Sequence, residues 1–254
     1  MQRYFIEPEQ FGDQTVRILG EDVRHISKVM RSKPGDKVIV SDGVSRVAIV
    51  EITSIETDEV TADITEHLNS TGEPWLHVTV AQSLPKGDKM ETVIQKCTEI
   101  GAAAFLPFES ERTVVQYDHK KEEKRTARWR KIAKEAAEQA HRSIIPVVEN
   151  PVSWKGLLSV LPEYDLVCIC YEKEQGQQLR EVLSPFVKQL ETQRTYKLLV
   201  VVGPEGGFAE NEVTEAEAVG AKSTGLGRRI LRTETAAMAA LTCIMYESGE
   251  MGGV

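Results

Sequence analysis

The pattern of apolar and polar positions differs between the two ends of the chain. In residues 3–68, short apolar runs alternate with polar positions, which predicts β-strands and one short helix. Residues 38–40 and 47–50 flank Asp42-Gly43, a turn signal, and together they predict a β-hairpin. Strand-like alternation continues through residues 52–64. The first 68 residues are therefore predicted to be a small β-rich domain.

After residue 74, apolar runs alternate with segments of helical periodicity. The strands are predicted at residues 76–81, 104–107, 166–171 and 198–202, and the helices at 89–100, 122–141, 175–193, 210–219 and 234–246. Such alternation is typical of a parallel α/β sheet. Residues 69–74 are polar and contain Gly72 and Pro74, which indicates a linker. The predicted organisation is a domain at 1–68, a linker at 69–74 and a second domain at 75–254.

Two glycine-containing turns follow predicted strands of the second domain. The apolar run 198–202 ends in Gly203-Pro204-Glu205-Gly206-Gly207, and Gly225-Leu226-Gly227 is followed by a basic run at 228–232. Ligands of open α/β sheets bind beyond the carboxyl ends of the strands, so both turns are predicted to border one pocket. Glycine permits positive φ and close backbone approach. We therefore expect a β-branched side chain at Gly206 to fill ligand space or to require a disallowed φ.

The first turn does not match the common phosphate-binding loops. A P-loop requires Gly-Lys-Ser/Thr, whereas Gly207 precedes Phe208 and Ala209. The dinucleotide fingerprint is also absent, and Glu205 would repel a phosphate. The pattern favours a ligand that is neutral or cationic at this loop. Taken alone, the loop would favour an ordinary strand-to-helix turn.

Residues 202–208 and 226–237 resemble the signature loops of SPOUT-class RNA methyltransferases. The subfamily that they resemble is RsmE, which methylates N3 of a uridine in small-subunit ribosomal RNA. Further matching segments occur in the same order at residues 84–90, 95–101, 111–113 and 128–146, so the resemblance covers nearly the whole chain. Two departures are visible: Ala209 replaces a helix-capping Ser, Thr or Asp, and Ile100 replaces a leucine.

The resemblance implies an α/β fold class: a C-terminal SPOUT-type parallel-sheet domain with a trefoil knot, preceded by a small PUA-like β-barrel domain. It implies S-adenosylmethionine as cofactor and small-subunit ribosomal RNA as partner, within an assembled or nearly assembled subunit. A homodimer is also implied, formed through the small residues of 235–241. A metal or membrane partner is not expected.

The resemblance also implies the cofactor site, with Leu226, Ile230 and Leu231 enclosing the adenine; burial in the core is the alternative for these three. The expected cofactor-binding residues are Tyr171, Glu172, Val202, Gly203, Pro204, Glu205, Gly206, Gly207, Leu226, Gly227, Ile230, Leu231, Arg232, Thr233 and Ala236.

Arg232 is the candidate catalytic residue. Uracil N3 must lose its proton to become a nucleophile, and a fixed cation beside a helix N-terminus would stabilise the anion. A structural ion pair is the alternative role of Arg232. Glu234 and Glu205 are the carboxylates that could accept the proton, although for Glu234 the favoured interpretation is a first-turn acid that interacts with the helix dipole.

The net charge of −8 does not exclude RNA binding, because phosphate contacts depend on local charge. Arg24, Lys28 and Arg31 have the spacing of one helix face, with Val23, Ile26 and residues 29–30 expected on the buried side. With the resemblance, the predicted RNA-binding residues are Arg24, Lys28, Arg31, Lys33, Lys86 and Arg112. A solvated helix face is the alternative for residues 24–33. A second basic stretch, 120–134, is interrupted by acids and is interpreted as a solvated helix face.

Composition narrows the class of protein. The four cysteines lack the paired spacing of a zinc site, and Cys168 and Cys170 are predicted to be reduced thiols in a strand. No signal peptide or long apolar segment is evident, so a cytoplasmic protein is expected. Two rival functions stay open at this point: a non-catalytic RNA-binding protein of ribosome assembly, and a metabolic enzyme with a nucleotide-like ligand.

Overall fold

Two β-sheets organise the part of the chain that the computed structural model describes, residues 1–69, 72–191 and 194–252. Contacts divide the chain into a first unit, Met1–Glu73 with Ala137–Ile145, and a second unit, Pro74–Ala136 with Pro146–Val254. Ser70 and Thr71 of the predicted linker lie outside the described residues, as do Thr192 and Gln193 at the end of the helix predicted at 175–193 and the last two residues of the predicted second domain.

The first unit contains a five-stranded sheet of order β1-β3-β4-β5-β2 in the described residues. Its elements are β1 (Arg3–Phe5), β2 (Thr15–Leu19), α1 (Glu21–Arg24), β3 (Lys37–Ser41), β4 (Val47–Ile55) and β5 (Glu59–Leu68), with a 3-10 turn at Pro8–Gln10 and a π-helical turn at His25–Val29. Strand β2 shows the cause of this arrangement: Val16 and Ile18 point into the core, and the alternate residues Thr15, Arg17 and Leu19 are exposed.

The predicted hairpin is confirmed, and its turn is a five-residue loop at 42–46. Strands β3 and β4 pair antiparallel, with Val38 opposite Val50. Gly43 has φ +71°, a conformation that favours glycine. Asp42 Oδ1 accepts hydrogen bonds from the backbone N–H groups of residues 44, 45 and 46 at 2.8–3.0 Å, and its Oδ2 pairs with Arg46 Nε at 2.7 Å. The side chain of Asp42 thus fixes the loop.

Residues 137–145 belong to the first unit, and a buried ion pair attaches them to it. The guanidinium of Arg142, only 6% exposed, lies 2.7 Å from Glu73 Oε2, and Glu73 Oε1 accepts from the backbone N–H of Ser143 at 2.7 Å. Ser41 Oγ donates to the carbonyl of Ser143 at 2.8 Å. These contacts join residues that are distant in sequence, so the pattern of apolar positions gives no sign of them.

The second unit is a seven-stranded sheet with helices, within the described residues. The strands are β6 (Leu76–Ser83), β7 (Ala104–Glu109), β8 (Val147–Val148), β9 (Val152–Ser153), β10 (Leu166–Cys170), β11 (Tyr196–Val202) and β12 (Lys222–Thr224). The helices are α2 (Lys89–Ile100), α3 (His119–Gln139, which continues into the first unit), α4 (Trp154–Val160), α5 (Leu179–Lys188), α6 (Glu210–Ala218) and α7 (Thr233–Glu247), with a 3-10 turn at Leu161–Glu163.

The four long predicted strands and five predicted helices of this unit are confirmed. Helix α2 has the predicted bounds, whereas α5 begins four residues later than predicted. Glu174 causes the delay, because its Oε1 accepts the backbone N–H groups of Gly176 and Gln177 at 2.7 and 2.9 Å and holds that segment as a loop. Strands β8, β9 and β12 and helix α4 were not predicted, since they are too short to show a period.

Strand order in the second sheet is β12-β10-β11-β6-β7-β8, with β9 also on β7, and every pair is parallel. The register places Cys170 opposite both Val202 and Thr224, and Val202 opposite Gln82. Four strands therefore end at the same edge of the sheet. The loops after β10, β11 and β12 meet there. The trefoil knot stays a prediction.

Among the described residues, no helix is both long enough and apolar enough to cross a membrane.

Acid should weaken the first unit through Asp42. Burial alone raises the pKa of this carboxyl, but hydrogen bonds from Arg46 and three backbone N–H groups lower it from 3.8 to about 2. Because the pKa is lower in the folded protein, the stabilisation is present above about pH 4 and is lost as pH falls toward about 2. We expect Asp42→Asn to destabilise the unit by about 2 kcal/mol at pH 7, and by less at pH 3.

Hydrogen exchange of the β3 and β4 amides in the full chain measures this difference. Asp58→Asn, in the exposed turn between β4 and β5, is the matched control and should change little. If Asp42→Asn lowers the stability by the same amount at both pH values, the lowered pKa of Asp42 is not the source of the stabilisation.

Candidate functional site

The loops after β10, β11 and β12, together with the start of α7, enclose a cavity of about 610 Å³. This volume lies in the range of small-molecule and cofactor sites. All fifteen residues predicted to bind the cofactor line it. The lining also contains seven residues that were not selected from the sequence: Lys89, Cys170, Glu174, Phe208, Gly225, Arg228 and Arg229. Most of them adjoin the predicted loops, but Lys89 precedes Glu205 by more than a hundred residues.

Backbone hydrogen bonds join the loop after β10 to the loop after β12. The N–H of Tyr171 donates to the carbonyl of Thr224 at 3.0 Å, and the N–H of Gly225 donates to the carbonyl of Gln177 at 2.9 Å. Gln178 Oε1 accepts from the N–H of Gly227 at 3.1 Å. A Cβ at Gly225 would lie 2.9 Å from the carbonyl oxygen of Glu174, so only glycine permits this approach.

A buried polar network lies behind the cavity. Thr233 Oγ1 donates to the carbonyl of Gly203 at 2.7 Å and accepts from Gln82 Nε2 at 2.8 Å. Gln82 is fully buried at the end of β6, where its register partner on β11 is Val202. The network therefore fixes the start of α7 relative to the turn after β11. Arg232, directly before Thr233, acquires its position from these contacts.

The position of this turn that requires glycine for its backbone conformation is Gly207 and not Gly206. Gly207 has φ +64°, and a Cβ there would overlap the carboxylate of Glu172. Gly206 lies outside the left-handed region, and a Cβ there would lie 3.3 Å from Arg112 Cβ. Of the two effects expected of a side chain at Gly206, the disallowed φ is therefore wrong, because the turn reverses one residue later. The filling of ligand space stays a prediction.

Glu205 lies on the cavity wall and is held by cations and amides. Its Oε1 accepts from Lys89 Nζ at 2.6 Å and from the backbone N–H of Lys86 at 3.0 Å. Burial alone raises the pKa of Glu205, but these hydrogen bonds lower it below its usual value. Glu205 is consequently ionised at neutral pH and is a weak base. Lys86, predicted to bind RNA, contacts the site through its backbone.

Arg112 contacts the same loop from the other side. Its Nη1 donates to the carbonyl of Gly206 at 2.9 Å, and the N–H of Glu111 donates to Glu212 Oε1 at 2.8 Å. Glu212 is 2% exposed, and its Oε2 accepts the N–H of Ala209 at 2.9 Å. This bond satisfies one backbone donor at the start of α6, where Ala209 has no capping side chain.

Arg232 and Glu234 occupy different surroundings. Arg232 precedes the first turn of α7, its side chain is exposed, and within the described residues it makes no ion pair, so the structural ion-pair alternative finds no support there. Glu234 lies outside the cavity lining, and its Oε2 is buried without a hydrogen-bond partner in that same part of the chain. Of these two side chains, only that of Arg232 borders the cavity.

The three apolar residues expected around an adenine differ in exposure. Leu226 and Leu231 are half-buried, whereas Ile230 is 87% exposed. All three line the cavity, so none belongs to the closed core.

The basic residues of the first unit do not lie on one regular helix face. Arg24 ends α1, Lys28 lies in the π-helical turn, and Arg31 has φ +55°. All three are exposed, as is Lys33. Val23 and Ile26 are buried as predicted, but Val29 and Met30 are 66% and 44% exposed. Their predicted burial is wrong because the π-turn shifts the residues that follow it. We call this surface, residues 24, 28–31 and 33, the basic–apolar patch.

The cysteines are free thiols. Cys168 is fully buried in β10, and Cys170 is half-buried at the cavity. Burial raises the pKa of Cys168 to about 12 and that of Cys170 as well, so both thiols stay protonated at neutral pH.

Comparisons with known proteins agree with this geometry. A family model described as RNA methyltransferase domain matches residues 72–245, and one described as RNA methyltransferase PUA domain matches residues 18–65. Ribosomal RNA small subunit methyltransferase E of Bacillus subtilis is 42% identical, covering 100% of this chain and 99% of its own length. The protein of that name from Synechocystis is 33% identical, covering 95% and 76%. The crystal structure of the Neisseria gonorrhoeae enzyme of that name, bound to S-adenosyl methionine, has a TM-score of 0.83 at 30% identity and covers 97% of each chain.

Replacing Gly207 should disturb the cavity more than replacing its neighbour. We expect Gly207→Ala to cost about 1–3 kcal/mol, because a side chain rarely adopts its φ and the new Cβ displaces Glu172. Gly206→Ala is the matched control and should leave the free energy of unfolding nearly unchanged. Urea denaturation of both variants checks this, and equal losses would contradict it.

Proposed function

The chain belongs to the family of ribosomal RNA small subunit methyltransferase E, and on that premise we propose that it transfers a methyl group from S-adenosylmethionine to N3 of a uridine in small-subunit ribosomal RNA. The observation that carries this proposal is a glycine-lined cavity at the carboxyl ends of parallel strands, with the unpaired cation of Arg232 at its border in the described chain. A non-catalytic role in assembly has no support from these features.

The residues of the cavity fit S-adenosylmethionine. The volume suits a ligand of that size, and the backbone of the glycine turns is open to it. The carboxylates of Glu172 and Glu174 border the cavity and make no ion pair within the described residues, so they favour a cationic ligand, whereas Glu205 is paired with Lys89. When bound, the cofactor supplies an electrophilic methyl group. We assign its binding to the residues predicted from the sequence other than Ile230, which is 87% exposed, together with Glu174 and Phe208.

Arg232 acts on the substrate base in this proposal. Uracil N3 is a poor nucleophile while protonated, and the negative charge that follows proton loss spreads over the ring. The guanidinium of Arg232 and the N-terminus of α7 together stabilise that charge. Glu205 is already paired with Lys89, and Glu234 lies off the cavity lining, so both are poorly suited as the base. The contribution of the site is thus mainly electrostatic.

RNA recognition is assigned to the first unit. The basic–apolar patch presents Arg24, Lys28, Arg31 and Lys33 to solvent beside Val29 and Met30. Cations bind phosphates, and exposed apolar side chains suit the faces of unpaired bases. We propose residues 1–68 as the RNA-binding domain and residues 75–254 as the methyltransferase domain. The substrate is then the assembled or nearly assembled small subunit, and the location is the cytoplasm, where that subunit is found.

We also propose a homodimer through α7. Thr235, Cys243 and Tyr246 are exposed on this helix, and Ala239 between them is half-buried, so a face of small residues is available for close packing. The site would then lie near the two-fold axis. Sedimentation equilibrium at micromolar concentration should give twice the chain mass, and a single-chain mass would refute the dimer.

Two sets of substitutions separate chemistry from RNA docking. Arg232→Ala should slow single-turnover methylation by about 10²–10³-fold at saturating subunits, because one electrostatic stabiliser is lost. Lys28→Ala with Arg31→Ala should instead weaken RNA binding and reduce the log–log salt slope by about 0.7–0.9 for each lost contact. The substrate is small subunits from a strain lacking the gene.

Equilibrium binding of radiolabelled S-adenosylmethionine is the shared control. The variant with Lys28→Ala and Arg31→Ala should bind the cofactor with the same affinity as the parent. Normal turnover of Arg232→Ala would overturn its catalytic role. A full salt slope in the Lys28 and Arg31 variant would mean that the patch is only solvated. Absence of cofactor binding to the parent would overturn the enzymatic function.

A further inference from the structure

The segment between Gly227 and Thr233 forms an exposed rim of the cavity. Arg228, Arg229, Ile230 and Arg232 are exposed, yet all of them line the cavity. We call residues 228–232 the arginine rim. It is the basic run that the sequence places beside the pocket, and the proposed chemistry uses only Arg232 from it.

Both ends of the arginine rim are anchored. The N–H of Gly227 is held by Gln178 Oε1, and Thr233 Oγ1 is held by the carbonyl of Gly203 and the amide of Gln82. The segment is therefore a short bridge between two fixed points. The exposure of its side chains is therefore a feature of the folded site.

Ile230 has the highest exposure of the large apolar side chains in the described chain, at 87%. Exposed aliphatic side chains are ordinary on protein surfaces, but this one lies at the mouth of a cavity and between cations. Its exposure also disfavours the expected role beside an adenine, for which the half-buried Leu226 and Leu231 are better placed.

The cations of the rim are available to an external anion. On the facing loops, Lys89 is paired with Glu205 and Lys173 with Glu210. By contrast, Arg228 and Arg229 make no ion pair within residues 1–69, 72–191 and 194–252. An exposed apolar tip flanked by unpaired arginines matches a nucleic-acid strand, whose phosphates and base faces alternate.

The reaction imposes a further requirement. Uracil N3 lies on the Watson–Crick edge, so the target nucleotide must leave its stack and enter the cavity before N3 can be reached. Unstacking is unfavourable, and proteins that separate bases often insert an apolar side chain such as Ile into the gap.

We propose that Ile230 is an apolar wedge that fills the stacking position vacated by the target uridine, while Arg228 and Arg229 hold the adjoining phosphates. The inference rests on the proposed function, since it concerns how the same site receives its RNA. It assigns to the methyltransferase unit an RNA contact of its own, distinct from the basic–apolar patch.

Single-turnover methylation of small subunits from the deletion strain tests the wedge. Ile230→Ala should slow the step at saturating subunits by about tenfold or more, the scale of one unstacking event. Ile230→Gln, which is polar and nearer to isoleucine in size, should be equally slow, and Ile230→Leu should keep most of the parental rate. Val219→Ala removes an exposed apolar side chain outside the cavity lining and is the matched control.

Arg228→Ala and Arg229→Ala test the phosphate contacts. Each should reduce the log–log salt slope of subunit binding by about 0.7, with Lys188→Ala on α5 as the control. Cofactor affinity, measured with radiolabelled S-adenosylmethionine, should stay within about twofold of the parent in all rim variants, well below one tenfold step.

Three results would overturn the wedge. If Ile230→Ala methylates at the parental rate, the side chain is not needed. If Ile230→Ala loses cofactor affinity, the side chain contacts the adenine. If Ile230→Ala sediments as a monomer while the parent is a dimer, the side chain contacts a second copy of the chain. If the parent itself leaves uridine N3 unmethylated, the proposed function is wrong, and the wedge that rests on it is wrong as well.

Discussion

The parallel register of four strands is the constraint on which the site depends. Cys170, Val202 and Thr224 lie side by side, with Gln82 beside Val202, so β6, β10, β11 and β12 all end at one edge. Parallel strands need long crossover connections, and the loops that leave this edge are therefore far apart in sequence. Residues separated by dozens of positions become neighbours in space. The cavity is a direct consequence of this register.

Glycine and buried hydrogen bonds convert that proximity into a fixed shape. Gly225 allows the loop after β12 to touch the loop after β10, and Gly207 allows the turn after β11 to reverse beside Glu172. Gln82 and Thr233 then tie α7 to the same turn. A side chain at either glycine would clash with the neighbouring loop. An apolar residue in place of Gln82 or Thr233 would leave a buried carbonyl without a hydrogen bond. The ligand-facing backbone is thus positioned by contacts that the ligand does not touch.

The protein is acidic overall, but its paired and unpaired cations lie on different surfaces. Ion pairs neutralise the cations on one side of the cavity, as in Lys89 with Glu205, whereas the arginine rim and the basic–apolar patch keep exposed cations. RNA phosphates respond to charge within about a Debye length of roughly 8–10 Å, so local surplus outweighs a net charge of −8. This separation lets one molecule hold a cationic cofactor and a polyanionic substrate.

The sequence by itself determined the parallel α/β class of the second domain, its long elements and the two glycine turns that border the cavity, because apolar periodicity and glycine turns are local signals. The individual cofactor-site residues were selected through the family resemblance. The PUA-like and SPOUT parts were anticipated through resemblance, and the comparisons confirm both, apart from the knot. Tertiary structure alone decided three matters. It brought Lys89 and Gln82 to loops over a hundred residues away, it placed the positive φ that requires glycine at Gly207, and it exposed Val29, Met30 and Ile230. These depend on strand register, turn geometry and a π-helical turn, which arise from contacts between distant residues and leave no period in the sequence.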